Sequence, residues 1–256
     1  MKPQRHPFLD HPRPLAVAHR GGSLEAEENT MEAFARAVAL GYTHVETDVH
    51  ATRDGVAVIH HDATLMRMTG DPRAIADLDW ADLARVRTHG GAAIPRVDAF
   101  LAQFPHLRVT FELKCDRVAE ALAEVIRRAG ALSRICVGSF APARTAAIRA
   151  ALGPDLCWSP AQSGVLALWL AGWGLPIRTP DFGLVQVPPA HNGIPVVTPR
   201  LIRAAARRGI DVQVWTVNDE AEMERLLDLG VGAIMTDRPT LLREVLIRRG
   251  QWPAGA

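Results

Sequence analysis

The side chains most suited to chemistry in this sequence come as short alternating pairs and as histidines beside charged neighbours. Glu46 and Asp48 are two residues apart, and Glu112 and Lys114 repeat that spacing further on. On an extended strand, residues two apart point to the same face, roughly 6–7 Å from one another. Three carboxylates brought together this way repel unless a cation lies among them. An all-oxygen trio selects a hard ion, Mg²⁺ or Ca²⁺, with Mn²⁺ also admissible, over zinc or copper. The competing reading of the same carboxylates is a set of ion pairs with Arg20, Lys114 or another arginine. His19 and His61 offer a proton donor and a proton acceptor at neutral pH. His60 adjoins His61, and on extended backbone only one of the two faces a site. Arg20, beside His19, and Lys114 are placed to hold a phosphate, arginine through bidentate contact.

These residues need strands to present them. Leu15–His19 is an apolar run suited to a buried parallel strand. Further strand-like runs follow at 43–49, 56–60, 108–114, 134–140, 155–159, 183–188, 211–217 and 232–236. Helical spacing appears near 29–40, 117–129, 143–152, 199–208, 220–229 and 239–248, with a further helix expected at 76–87. Strand and helix alternate through most of 256 residues, which predicts the α/β class and a parallel sheet closed as a (β/α)₈ TIM barrel. A small insertion after the second strand is expected over 62–95. The expected organisation is an N-terminal tail, 1–14, and one barrel domain, 15–256. The strand tips read His19-Arg20, Glu46, Asp48, Glu112, Lys114, Trp215, Asn218, Thr236 and Asp237. In such a barrel the C-terminal strand ends form the active site.

Composition narrows the function classes. A net charge of +1 gives no global field toward nucleic acid. Arginine makes up nearly all the basic residues, so Lys114, one of two lysines with Lys2, stands out. Three cysteines, Cys115, Cys136 and Cys157, without short paired spacing suit a reducing compartment. The first fourteen residues lack the apolar core of a signal peptide, and no window is long enough to span a bilayer. A cytoplasmic location is therefore expected; nothing in the sequence specifies the oligomeric state. Nucleotide-loop, serine-hydrolase and zincin motifs are missing.

Taken in order, several short motifs resemble the glycerophosphodiester phosphodiesterase family. They are His19-Arg20-Gly21, Glu28-Asn29-Thr30, Glu46-x-Asp48, Thr52-x-Asp54-Gly55, His61-Asp62 and Leu65-x-Arg67-x-Thr69. Ile94-Pro95, Glu112-x-Lys114, Trp215-Thr216-Val217-Asn218 and Thr236-Asp237-x-Pro239 complete the series. The resemblance implies a TIM-type barrel with a divalent ion on Glu46, Asp48 and Glu112, and His19 and His61 as acid and base. It implies Arg20 and Lys114 at the phosphate, and Glu28 as a further ligand or an orienting group. Asn29 and Thr30 are expected to cap the first helix. Trp215 walls the substrate pocket or packs inside the barrel. Two departures are Glu27, where the family usually has proline, and Arg96-Val97-Asp98. The implied reaction is hydrolysis of a small-molecule glycerophosphodiester to sn-glycerol 3-phosphate and an alcohol. The alternative is a lysophospholipase D-like activity, with Trp169 and Trp173 in the apolar stretch 165–175 as a lip for an acyl chain. A non-catalytic phosphate- or lipid-binding barrel is the reading from another class.

Overall fold

The computed structural model describes residues 6–179 and 181–253. Among these residues, eight parallel strands form a nearly closed barrel. They are β1 (Leu15–His19), β2 (His44–Ala51), β3 (Arg108–Leu113), β4 (Ile135–Gly138), β5 (Cys157–Trp158), β6 (Leu184–Val187), β7 (Asp211–Val214) and β8 (Ala233–Thr236). The ladder runs from β5 through β4, β3, β2, β1, β8 and β7 to β6. Between β5 and β6 the closure is made by a side chain: the Gln186 amide donates to Ser159 Oγ at 3.2 Å.

Each strand is followed by a helix. These are α1 (Met31–Ala39), α2 (Val97–Gln103), α3 (Val118–Arg128), α4 (Pro142–Leu152), α5 (Gln162–Gly172), α6 (Pro199–Arg208), α7 (Glu220–Leu229) and α8 (Pro239–Arg248). Two of them, α2 and α5, were not legible as helices, because proline or glycine interrupts their surroundings. After β2 the chain turns back as a short antiparallel strand, Ala57–Ile59, and then enters the inserted segment. The helix expected at 76–87 is broken there. One 3-10 turn, Ile75–Asp77, and one helical turn, Trp80–Leu83, are separated by extended backbone at Leu78 and Asp79. Val58, Leu65, Ile75, Leu78, Leu83 and Ile94 give the segment a small apolar core of its own.

The alternation within β2 and β3 explains how the barrel carries charge without losing its core. Val45, Val49, Ala51, Val109, Phe111 and Leu113 pack toward the helices with Phe34, Phe100 and Leu122. Glu46, Asp48, Thr110 and Glu112 alternate with them and so face the barrel interior.

Residues 1–5 of the expected tail lie outside the described residues, but the rest is not a loose appendage. Pro7–Leu9 forms a 3-10 turn, and Phe8 and Leu9 are buried against Cys136, Cys157 and Leu184. His6 Nε2 donates to the Asp155 carbonyl at 2.8 Å, and His11 meets the His44 ring edge-on at 4.7 Å. Burial in this plug lowers His44 to about 3, so it stays neutral. No helix among the described residues is long and apolar enough to cross a membrane.

Phe100 is fully buried, with ring contacts to Phe34 at 4.7 Å, Phe104 at 5.4 Å and Phe111 at 6.4 Å. Phe100→Ala should cost about 3–5 kcal/mol of stability, measured as a shift in the urea unfolding curve. A loss below about 1 kcal/mol would mean that this cluster does not anchor α2 to the barrel.

Candidate active site

Strand register assembles the site. In β1 and β2, His19 lies opposite Glu46; in β2 and β3, Asp48 lies opposite Glu112. Paired parallel strands run about 4.8 Å apart, so each register pair converges on one point of the barrel mouth. Carboxylate oxygens of Glu46, Asp48 and Glu112 all come within 4.8 Å of one another.

The neighbouring cations only partly neutralise this cluster. Lys114 Nζ lies 3.1 Å from Asp48 and 2.9 Å from Glu112. Arg20 is divided between Asp48 (Nε, 3.2 Å) and Glu28 (3.2 Å). The ion pairs of the competing reading are therefore present, yet they leave Glu46 out. Its Oε2 is buried without a hydrogen-bond partner, and the nearest basic group is His19 Nε2 at 3.6 Å. Burial, with the Asp48 carboxylate beside it, pushes Glu46 up to about 8. Burial acts the same way on Asp48, but Lys114 and Arg20 outweigh it and hold that carboxyl below its ordinary value. Three carboxylates, one of them buried with an oxygen that accepts no hydrogen bond, are a donor set that fits a hard divalent cation.

Each histidine rests on an aspartate. His19 Nδ1 donates to Asp237 Oδ1 at 2.6 Å, which leaves Nε2 facing the carboxylates. Asp237 is fixed in turn by Ser23 Oγ (2.6 Å) and Asn218 Nδ2 (2.8 Å), while Asn218 Oδ1 accepts from the Asp237 amide at 2.9 Å. Burial opposes ionisation of Asp237, but the hydrogen bonds from His19, Ser23 and Asn218 lower it to about 2. His61 Nδ1 donates to Asp62 Oδ1 at 2.6 Å, and Arg67 holds Asp62 Oδ2 at 2.6 Å and Glu28 at 2.7 Å. Of the adjacent pair, His61 is the one in the cavity. His60 is buried and donates to the Thr64 carbonyl at 3.3 Å. His50 Nε2, donating to the His61 carbonyl at 3.1 Å, pins the backbone of the cavity-facing member.

The loop after β1 is built by glycine. Gly21 and Gly22 have φ of 83° and 105°. A Cβ on Gly21 would lie 2.7 Å from Ala33 Cβ, and one on Gly22 would lie 2.6 Å from Pro239 Cγ. The pair lets the loop pass between the starts of α1 and α8. Thr30 caps α1, accepting from the Ala33 amide at 3.1 Å, as expected. Asn29 does not share that role. It is buried at a φ of 58°, donates to Asp48 Oδ2 at 3.0 Å and accepts from Thr47 Oγ1 at 2.7 Å. Asn29, Asp237 and Asn218 are thus site residues to which sequence reasoning gave no site role. For Asp237 and Asn218 the signal was their position at strand ends; for Asn29, beside a helix start, the cap explanation was sufficient.

These groups open into one cavity of about 860 Å³. His19, Arg20, Glu46, His61, Glu112, Lys114 and Trp215 all line it. Asp48 is covered beneath them. Trp215 lines the cavity and packs on the cluster of Leu15, Val17, Ala233 and Met235.

The model of the Glycerophosphoryl diester phosphodiesterase family matches residues 19–241. The chain belongs to that family. "Probable glycerophosphodiester phosphodiesterase 2" of Mycobacterium tuberculosis is 39% identical over 252 residues, 96% of this chain and 95% of the relative. The fold is that of a glycerophosphodiester phosphodiesterase from Agrobacterium tumefaciens, with a TM-score of 0.77 at 24% identity over 90% of this chain and 99% of the other. It is also that of an Oleispira antarctica phosphodiesterase, solved with its product sn-glycerol-3-phosphate, with a TM-score of 0.76 at 22% identity, covering 91% and 97%.

The departure at Glu27 has a structural account. Its carboxylate accepts from Thr88 Oγ1 at 2.6 Å and from the Gly90 amide at 3.0 Å, clamping the inserted segment to the loop that carries Arg20 and Glu28. Arg96 and Asp98 pair with each other at the start of α2, with Arg96 over the Trp80 ring at 5.3 Å. Hydrogen bonds to a charged group contribute about 1.5–3 kcal/mol each. Glu27→Ala should therefore speed amide hydrogen exchange at Gly90 at least tenfold. Unchanged protection would mean the clamp does not hold the segment.

Proposed function

We propose that this chain hydrolyses glycerophosphodiesters to sn-glycerol 3-phosphate and an alcohol on a divalent cation. Glu46, Asp48 and Glu112 hold the ion, which is Mg²⁺ or Ca²⁺, with Mn²⁺ able to substitute. The observation that carries the reading is the trio of converging carboxylates, one with a buried oxygen that accepts no hydrogen bond, flanked by two histidines that each rest on an aspartate. The product bound to the Oleispira antarctica relative supports the same chemistry.

Bound there, the cation supplies Lewis-acid polarisation of the phosphodiester. Arg20 and Lys114 line the cavity beside the carboxylates and add positive charge where the transition state gathers negative charge. His19 and His61 divide the proton transfers: one takes the proton of the attacking hydroxyl, the other gives a proton to the leaving alcohol oxygen. Asp237 and Asp62 fix each ring with Nδ1 protonated, so that Nε2 is the atom that exchanges protons. Asn29 and Arg20 keep Asp48 oriented. Three free cysteines, two of them buried, fit the reducing cytoplasm as the site of action in lipid and glycerol metabolism.

Purified protein should release glycerol 3-phosphate from glycerophosphocholine. EDTA should abolish release, and added Mg²⁺, Ca²⁺ or Mn²⁺ should restore it. His19→Ala should lower kcat by about 10²–10⁴-fold, the usual contribution of a positioned acid or base. Full activity in EDTA, or in His19→Ala, would contradict the reading.

A further inference from the structure

The cavity has a charged half, from the ends of β1, β2 and β3 with His61, and an apolar half that includes Val165, Leu166 and Trp169 of α5. Of the eight helices that follow the strands, α5 alone has no charged residue. A helix that is apolar all round is normally buried. This one is not. Leu166 is 55% exposed, and Trp173 and Leu175, just past the end of α5, are 55% and 47% exposed. Phe140 and Ile194, on loops that also reach the cavity, are 57% and 60% exposed. These are five of the nine large apolar side chains left exposed among the described residues. Trp169 lines the cavity; Trp173 does not, but its ring meets Trp169 at 5.5 Å and packs under Arg200 at 3.8 Å. The apolar strip thus runs out of the cavity onto the surface, so a ligand held inside cannot cover it.

Positive charge flanks the strip. Residues 142–208 contain seven arginines and two aspartates with no lysine or glutamate, a balance of +5 in a chain whose total is +1. Arg200, Arg203 and Arg207 recur at helical spacing on one exposed face of α6. The end of α5 abuts the start of that helix, where a Cβ on Gly172 would lie 3.2 Å from the Arg200 carbonyl oxygen. Arg178, Arg200, Arg203 and Arg207 are exposed, and among the described residues none of them pairs with a carboxylate. Exposed leucine and tryptophan beside arginine make up a surface that lies in a bilayer interface, with apolar groups at the acyl boundary and guanidinium groups on lipid phosphates. A second copy of the chain fits less well, because symmetric pairing would set the arginines against one another. We infer that this face docks on an anionic bilayer, with Leu166, Trp173, Leu175 and Ile194 entering the interface and the arginines of α6 meeting the phosphates. The inference goes beyond the phosphodiesterase reading and does not depend on which diester is cleaved.

The test is co-sedimentation of the full-length protein with vesicles of phosphatidylcholine alone and of phosphatidylcholine mixed equally with phosphatidylglycerol. Binding to the mixed vesicles should exceed binding to the neutral ones at least tenfold and weaken in high salt. Arg203→Glu combined with Arg207→Glu should lower partitioning at least tenfold, and Leu175→Asp at least fivefold. All three positions are exposed, and a thermal unfolding scan checks that each variant is folded. No binding to the anionic vesicles, equal binding to the neutral ones, or binding that either variant leaves unchanged would overturn the docking surface. A dimer in sedimentation equilibrium that Leu175→Asp dissociates, with no vesicle binding, would also overturn it and assign the face to self-association.

Discussion

Electrostatic repulsion among Glu46, Asp48 and Glu112 is the constraint around which the rest of the mouth is arranged. Strand register makes it unavoidable, since Asp48 and Glu112 face each other across a parallel ladder and Glu46 precedes Asp48 on the same face. Buried carboxylates are tolerated only when paired, and each neighbour answers that demand. Lys114 bridges two of the three, Arg20 reaches one, and Asn29 donates to the most buried. Glu46 is left with the His19 imidazole at 3.6 Å. That incompletely compensated charge is the observation on which the proposed cation site rests.

The barrel makes the arrangement affordable. Every second residue of β2 and β3 serves the helix-facing core, so the same strands that present charge to the mouth also bury Val45, Val49, Val109 and Phe111. The turn into the inserted segment adds His61 to the charged half of the cavity, with Asp62 at the start of the segment holding it. It is tied to the body through Glu27, Glu28 and Arg67. Across the mouth, the loops after β4 to β7 carry few charges toward the cavity and supply its apolar wall. The charged groups and the apolar part of the wall thus lie on different strands of one barrel, a division the fold allows because its loops vary independently.

Much of this was legible in the sequence, for physical reasons. Apolar runs ending in charged residues have few uses other than barrel strands, so β1 and the tips bearing His19, Glu46, Asp48 and Glu112 were readable from pattern. His60 and His61 were not separable, because their orientation depends on where the turn after Ala57–Ile59 leaves the sheet. Asn29 looked like a helix cap, since nothing local shows that its positive φ swings the side chain toward Asp48. Asp237 stood at a strand tip, but its bond to His19 spans 218 residues and exists only once β1 and β8 are paired. The buried plug at Phe8 and Leu9 was read as tail, because two apolar residues among prolines and histidines carry no periodicity.

The most direct measurement is calorimetric titration of metal-stripped protein with Mn²⁺, Mg²⁺ and Ca²⁺, alongside Glu46→Gln and Asp48→Asn. A cation site built on the three carboxylates predicts one ion per chain, with affinity reduced at least tenfold in either variant. Absence of binding, or binding that neither substitution weakens, would contradict it.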